Sequence, residues 1–105
     1  MNHAYIAGPY THESHTQILE NVDAALDAGI AAAARGYAPI VPHTAGSHRV
    51  TWDVAMVRCR DLIRGMDPTR DILVALPNWA ESRGAREEVG LAMELGIRVV
   101  QLEDL

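Results

Sequence analysis

The chain has 105 residues, 49% of them hydrophobic, and a formal net charge of −5. This length holds one domain with one core. No apolar stretch approaches the ~20 residues of a membrane span, and the acidic balance argues against a nucleic-acid polymer as partner, whose phosphates need a basic patch.

All nine basic residues are arginines, which excludes a lysine Schiff base or a phosphate-loop lysine. The single cysteine, Cys59, offers neither an internal disulfide nor a metal-ligand spacing. The amino terminus MNHAYIAGPY lacks a basic region and a long apolar core. No signal peptide is expected there, and a reducing cytoplasm is the expected compartment.

In chain order, Ala4 to Ala7 reads as a short strand stopped by Gly8-Pro9. Thr11 or Ser14 is placed to cap a helix whose apolar stripe runs through Ile18, Val22, Ala25, Leu26, Gly29, Ile30 and Ala33. Gly36 ends it. Tyr37 to Val41 is a second strand, and His43 to Val50 a loop. Thr51 or Asp53 opens a second helix with Val54, Val57, Cys59, Leu62 and Ile63 on its apolar side, and Asp67-Pro68 breaks it. Ile72 to Leu76 is apolar at every position, as in a strand covered on both faces. A third helix over Arg83 to Leu95 stops at Gly96, and Ile97 to Leu102 is the fourth strand. Strands alternating with helices predict a parallel α/β sheet with right-handed crossovers.

In such a sheet, ligands are held where the carboxyl ends of strands face the amino ends of helices. Ser82, Gly84 and Ala85 open the third helix, where free amides and the helix dipole favour an anion; the plainer reading of Ser82 is an N-cap. Glu88, in the second turn, leans back toward the crevice, although spacing alone makes it a solvated helix glutamate like Glu87. Asp71 heads the third strand, as a second carboxylate or as a strand cap. Tyr5 to Tyr10 puts a phenol and backbone amides at the end of strand one, without a GxGxxG fingerprint. Trp79 is placed to stack on a base or to pack on its own domain. His43 follows strand two on the same carboxyl edge. His12-x-x-His15 lacks a matching carboxylate or cysteine, so no metal site is expected.

Three segments read together resemble the nucleoside 2-deoxyribosyltransferase-like superfamily, which also holds the nucleoside 5′-monophosphate N-glycosidases. They are Tyr5-Ile6-Ala7-Gly8-Pro9, then Pro39-Ile40-x-Pro42-His43, then Asp71-x5-Pro77-x-Trp79-x2-Ser82-x-Gly84-Ala85-x2-Glu88. The resemblance runs in order over nearly the whole chain, closest to the small bacterial and phage domains of that group. It implies a flavodoxin- or Rossmann-like three-layer sandwich of about four parallel strands and three main helices. It also implies chemistry at the N-glycosidic bond of a nucleoside or nucleotide, without cofactor or metal.

On this resemblance Glu88 matches the glutamate that attacks C1′, Asp71 the aspartate that helps the leaving base accept a proton, and Tyr5 the tyrosine that orients the nucleophile. Ser82 and Gly84 match the group that receives a 5′-phosphate. A retaining displacement wants two carboxylates about 5 Å apart around one anomeric carbon. Gly8, Pro9, His43, Trp79 and Ala85 complete the expected substrate-binding set.

Thr11 stands where phosphate-binding relatives carry an arginine, with Arg49, Arg83 and Arg86 as substitutes. The relatives also extend beyond the fourth strand, where a neighbouring subunit contributes a residue. A homodimer or larger homo-oligomer is expected by analogy. The alternatives are a nucleotide-sensing module of the same fold, and last a phosphoribohydrolase whose Pro-Gly-Gly-x-Gly-Thr-x3-Glu motif is faintly echoed by Ser82 to Glu88.

Overall fold

The computed structural model of the protein describes residues 1–10, 13–44 and 51–105. Its elements are β1 (His3–Ala7), α1 (His15–Ala34), β2 (Ala38–Ile40), α2 (Trp52–Arg64), β3 (Ile72–Ala75), α3 (Arg83–Glu94) and β4 (Arg98–Gln101). Short 3-10 turns follow at Pro42–Thr44, Trp79–Glu81 and Leu102–Asp104. The four strands form one parallel sheet in the order β2-β1-β3-β4. From β1 the chain crosses outward to β2 and then back to β3 on the other side, so the order reverses between β1 and β3. The carboxyl ends of those two strands are the switch point of the fold.

The sheet is covered on both faces, which makes an α/β three-layer sandwich. On one face Ala25, Ala28 and Ala32 of α1 pack on Ala4, Ile6, Ile72, Val74 and Leu76. On the other, Ile63 of α2 and Val89 and Ala92 of α3 pack on Tyr5, Ala7, Leu73 and Ala75. Alternate side chains of β1 and β3 serve opposite layers, as the strand period requires. β3, paired on both edges, is buried at all four positions.

The helix starts are set by hydroxyl caps. Ser14, Thr51 and Ser82 each accept a hydrogen bond from the N–H three residues on. Ser14 and Thr51 settle the alternatives at the first two helix starts; Thr11 lies outside the described residues. α1 and α3 end alike. Gly36 (φ 91°) and Gly96 (φ 75°) take the left-handed conformation. The following N–H groups of Tyr37 and Ile97 reach back to Ala32 O and Ala92 O, so each end is a Schellman motif that needs its glycine.

The expected apolar stripes are corrected on two helices. α1 buries Asn21, Ala25, Ala28, Gly29 and Ala32, while Leu26 and Ile30 are 41% and 69% exposed. Small residues face inward because the helix lies close to the sheet: a Cβ on Gly29 would stand 2.9 Å from Val41 Cγ2. α2 buries Met56 and Ile63, and Val54, Val57 and Leu62 point outward.

Gly8 has a packing reason as well. A Cβ there would overlap Leu76 Cδ1 and lie 2.9 Å from Leu76 Cβ. Moving only the tip of Leu76 cannot clear that space. Gly8→Ala is expected to cost at least about 2 kcal/mol in denaturant unfolding, as overpacking does. Combined with Leu76→Ala, it should cost less than the two single changes together, because Leu76 Cδ1 and Cγ, the two nearest clash atoms, are gone although its Cβ remains.

Candidate functional site

Tyr5 lies mid-strand in β1 and points to the α2/α3 side of the sheet, fully buried. Glu88, one helical turn past Ala85 and beside Val89 and Ala92, shares the inward face of α3 and is 5% exposed. The phenol Oη donates a hydrogen bond to Glu88 Oε2. Cys59 of α2 packs against the same cluster. Glu87, by contrast, is ion-paired to Arg60 at 2.7 Å on the half-exposed side. Two adjacent glutamates thus have opposite surroundings, set by one step of helical phase.

Burial pushes the Glu88 carboxyl up to about 7, against the pull of hydrogen bonding from Tyr5 and Cys59, and the charge of Glu87 adds to the rise. Burial first, and then the Glu88 charge, hold the Tyr5 phenol far above its ordinary range. Burial also raises the Cys59 thiol. The pair is a neutral phenol donating to a carboxyl group that burial has raised toward neutrality.

The loop after β1 is fixed by His43. Its Nε2 stands 3.1 Å from both Gly8 O and Pro9 O. Two carbonyls can only accept, so Nε2 carries the proton. Burial lowers the His43 pKa despite these two carbonyls. The ring is therefore neutral with a bare Nδ1, which has no hydrogen-bond partner among the described residues. Tyr10 meets the ring edge-on at 5.8 Å.

Beside this loop is a cleft of about 510 Å³, lined by Pro9, Gln17, Asn21, Trp52, Asn78, Glu81, Ser82, Arg83 and Gly84. It lies where the first turns of α1, α2 and α3 meet the carboxyl edge of the sheet. Ser82 caps α3, accepting from Ala85 N–H at 3.2 Å. Helix geometry leaves the N–H groups of Arg83 and Gly84 without an upstream carbonyl. Arg83 lies 4.1 Å over the Trp52 ring. Gly84 keeps α3 close to α2, since a Cβ there would stand 3.2 Å from Met56 Sδ.

The expected residues therefore fall into separate places. Pro9, Ser82 and Gly84 line the cleft; Tyr5 and Glu88 form the buried pair; Gly8 and His43 shape the loop between them. Ala85 is buried, with its N–H spent on Ser82. Trp79 is half-buried and packs on the cluster around Tyr5 and Val89, and the tryptophan that lines the cleft is Trp52. Arg86 turns back to Ala80 O at 2.8 Å, which leaves Arg83 as the cleft arginine among the described residues.

Asp71 is not brought beside Glu88. It precedes β3, so it sits at the amino edge, opposite His3 of β1. Its Oδ1 accepts from His3 N–H at 2.8 Å and its Oδ2 from Asp67 N–H at 2.7 Å. Burial alone would raise its pKa, but those two amides and the nearby His3 ring outweigh it and hold the carboxyl below the ordinary range. This is a strand-clamping carboxylate. The pairing of two carboxylates around one anomeric carbon does not include it.

Sequence reasoning missed Gln17, Asn21, Trp52, Asn78 and Glu81 as lining of the cleft, whereas Arg83 was among its substitutes for a phosphate-binding arginine. Their common signal is position: each lies in, or just before, the first turns of a helix that follows a parallel strand. Among the described residues no group of three or more His, Cys, Asp or Glu is placed to hold a metal ion, and no helix is long and apolar enough to cross a membrane.

Residues 2–101 match the DUF4406 family, described as a domain of unknown function. The match covers nearly the whole chain, and the protein belongs to that family. No curated protein matches it.

Proposed function

We propose that this DUF4406 protein cleaves or transfers at the N-glycosidic bond of a nucleoside or nucleoside 5′-monophosphate, with Glu88 as nucleophile. The reading rests on the resemblance to the nucleoside 2-deoxyribosyltransferase-like superfamily. The observation that carries it is the buried Tyr5–Glu88 pair beneath the carboxyl edge of the sheet. A glutamate 5% exposed, raised to about 7 and held by a phenol, is costly to keep for structure alone.

In this reaction a Glu88 oxygen forms a bond to C1′ while the C1′–N bond breaks. The base leaves with the bonding pair and takes a proton from solvent, since Asp71 is engaged elsewhere. Water, giving up a proton, or a second base then attacks C1′ and releases the Glu88 carboxylate. Tyr5 orients the attacking oxygen in the first step and hydrogen-bonds the returning charge in the second. The amides of Arg83 and Gly84, with the Ser82 hydroxyl and the Arg83 guanidinium, would receive a 5′-phosphate. Assembly into a homo-oligomer and a place in the cytoplasm belong to the same proposal.

The test is release of free base from a panel of nucleosides and 5′-monophosphates, with and without an acceptor base, read by chromatography. Release by the parent and its loss in folded Glu88→Gln is the expected result. The rate should rise with pH through about 7, because the nucleophile must be ionised and its carboxyl is raised to about 7.

One observation favours a second reading, a nucleotide-binding module without turnover. Glu88 does not line the cleft, so attack requires its carboxyl to turn from Tyr5 toward the ligand. A melting temperature raised by nucleotide, with no base released from any substrate, would select that reading.

A further inference from the structure

Two amides on α1 face the cleft in a fixed order. Gln17 and Asn21 stand one helical turn apart and both line the cleft with Pro9 and Trp52. Asn21 is 7% exposed. The main-chain oxygen of Tyr10 can only accept, so Asn21 turns its Nδ2 toward it, at 3.3 Å. That leaves Asn21 Oδ1 on the other side, where Gln17 Nε2 donates at 2.9 Å. The carbonyl at the end of the relay therefore decides the orientation of both amides. Gln17 keeps one acceptor, Oε1, and one remaining Nε2–H, neither with a partner among the described residues.

We propose that this relay is an adenine-reading subsite, in which Gln17 Oε1 accepts from the exocyclic N6–H and its free Nε2–H donates to N7. An adjacent donor and acceptor on a planar amide complement that edge of adenine. Guanine and hypoxanthine present two acceptors there, O6 and N7, and would set an oxygen against Gln17 Oε1; pyrimidines have no N7. An arginine is the usual reader of the two-acceptor edge. The cleft arginine, Arg83, stacked on Trp52 at 4.1 Å, is the group that receives the 5′-phosphate in the proposed function and is not left for the base edge. The substrate class is therefore an adenine nucleoside or nucleotide, an assignment that rests on the glycosidic reading of the same site.

The experiment is calorimetric binding to the Glu88→Gln protein, which prevents turnover. The probes are adenosine, inosine and 7-deazaadenosine 5′-monophosphates, in the ribose and 2′-deoxyribose series. Adenosine monophosphate should bind tightest, with loss of either the amine or N7 weakening binding at least about tenfold. Gln17→Ala and the near-isosteric Gln17→Met, checked for unchanged melting temperature, should bind all three alike. Equal affinity for the adenine and hypoxanthine nucleotides, or a preference that persists without Gln17, overturns the subsite while leaving the glycosidic reading standing. No binding of any of these nucleotides likewise overturns the subsite, and the base-release panel decides the glycosidic reading separately.

Discussion

Glu88→Gln is expected to make the protein more stable, by about 3 kcal/mol near pH 8, while abolishing base release. The folded-state pKa of Glu88, about 7, lies above its ordinary 4.5. Between those values the folded protein holds a proton that the unfolded chain has released. Parent stability therefore falls as pH rises from about 4.5 through about 7, and the loss is complete above that. Glutamine never ionises, and its Oε1 can still accept from Tyr5. The gain should vanish near pH 4.5, where the parent carboxyl is protonated in the fold. Denaturant unfolding of both proteins at the two pH values checks this; on the usual scale for this length, the melting temperature near pH 8 rises by more than about 10 °C. A variant equal to the parent at both pH values would mean that Glu88 is not held desolvated. More stability with less function is the pattern of a group kept for chemistry.

Asp71→Ala should show the opposite pattern: a loss of about 3 kcal/mol or more in stability, with base release per folded molecule unchanged. The carboxylate accepts two main-chain N–H groups, from His3 and Asp67, and its removal leaves both donors without their acceptor. Asp71→Asn is not a remedy, because the new amide nitrogen would face one of those donors. The sign of the pH effect also differs from that of Glu88. Asp71 is depressed in the fold, so its contribution is present above the unfolded carboxylate range and is lost as pH falls through the folded value. Asp71→Ala should therefore flatten the acid limb of the stability profile. Unfolding curves across the acid range, with base release measured beside them, decide the matter. A stable variant that no longer releases base would return Asp71 to the chemistry.

The two carboxylates show how far the sequence could be read. The alternation of strands and helices, the apolar run of β3, the Ser82 cap and the glycine stops Gly36 and Gly96 are local signals, and the parallel sheet follows from them. Glu88 was legible as a candidate through the resemblance, since spacing alone favoured a solvated glutamate like Glu87. Asp71 was misplaced by reading type and spacing without direction. A residue just before a parallel strand lies at the amino edge, a strand's length from the ligand-binding edge, and its neighbour across the sheet is the start of β1.

The same geometric rule would have found Gln17, Asn21 and Trp52, since helices that follow parallel strands all begin at the carboxyl edge. What no local signal carried was which apolar residues face inward. α1 has large and small apolar residues on two faces, and close approach to the sheet selected alanine and glycine over Leu26 and Ile30. Trp52 against Trp79 was equally hidden: both sit beside helix starts, and only the packing of Trp79 on the Tyr5 cluster separates them.

If Glu88 attacks the sugar, the mass of the protein during turnover will show it. The protein would be quenched in acid while incubating with 2-fluoro-sugar nucleosides and their 5′-monophosphates, which slow the second step, and then digested and mapped. The expected result is an added mass of one sugar or sugar phosphate on the peptide containing Glu88, absent from Glu88→Gln. Base release with an unmodified Glu88 peptide, or with the sugar on another residue, would contradict it.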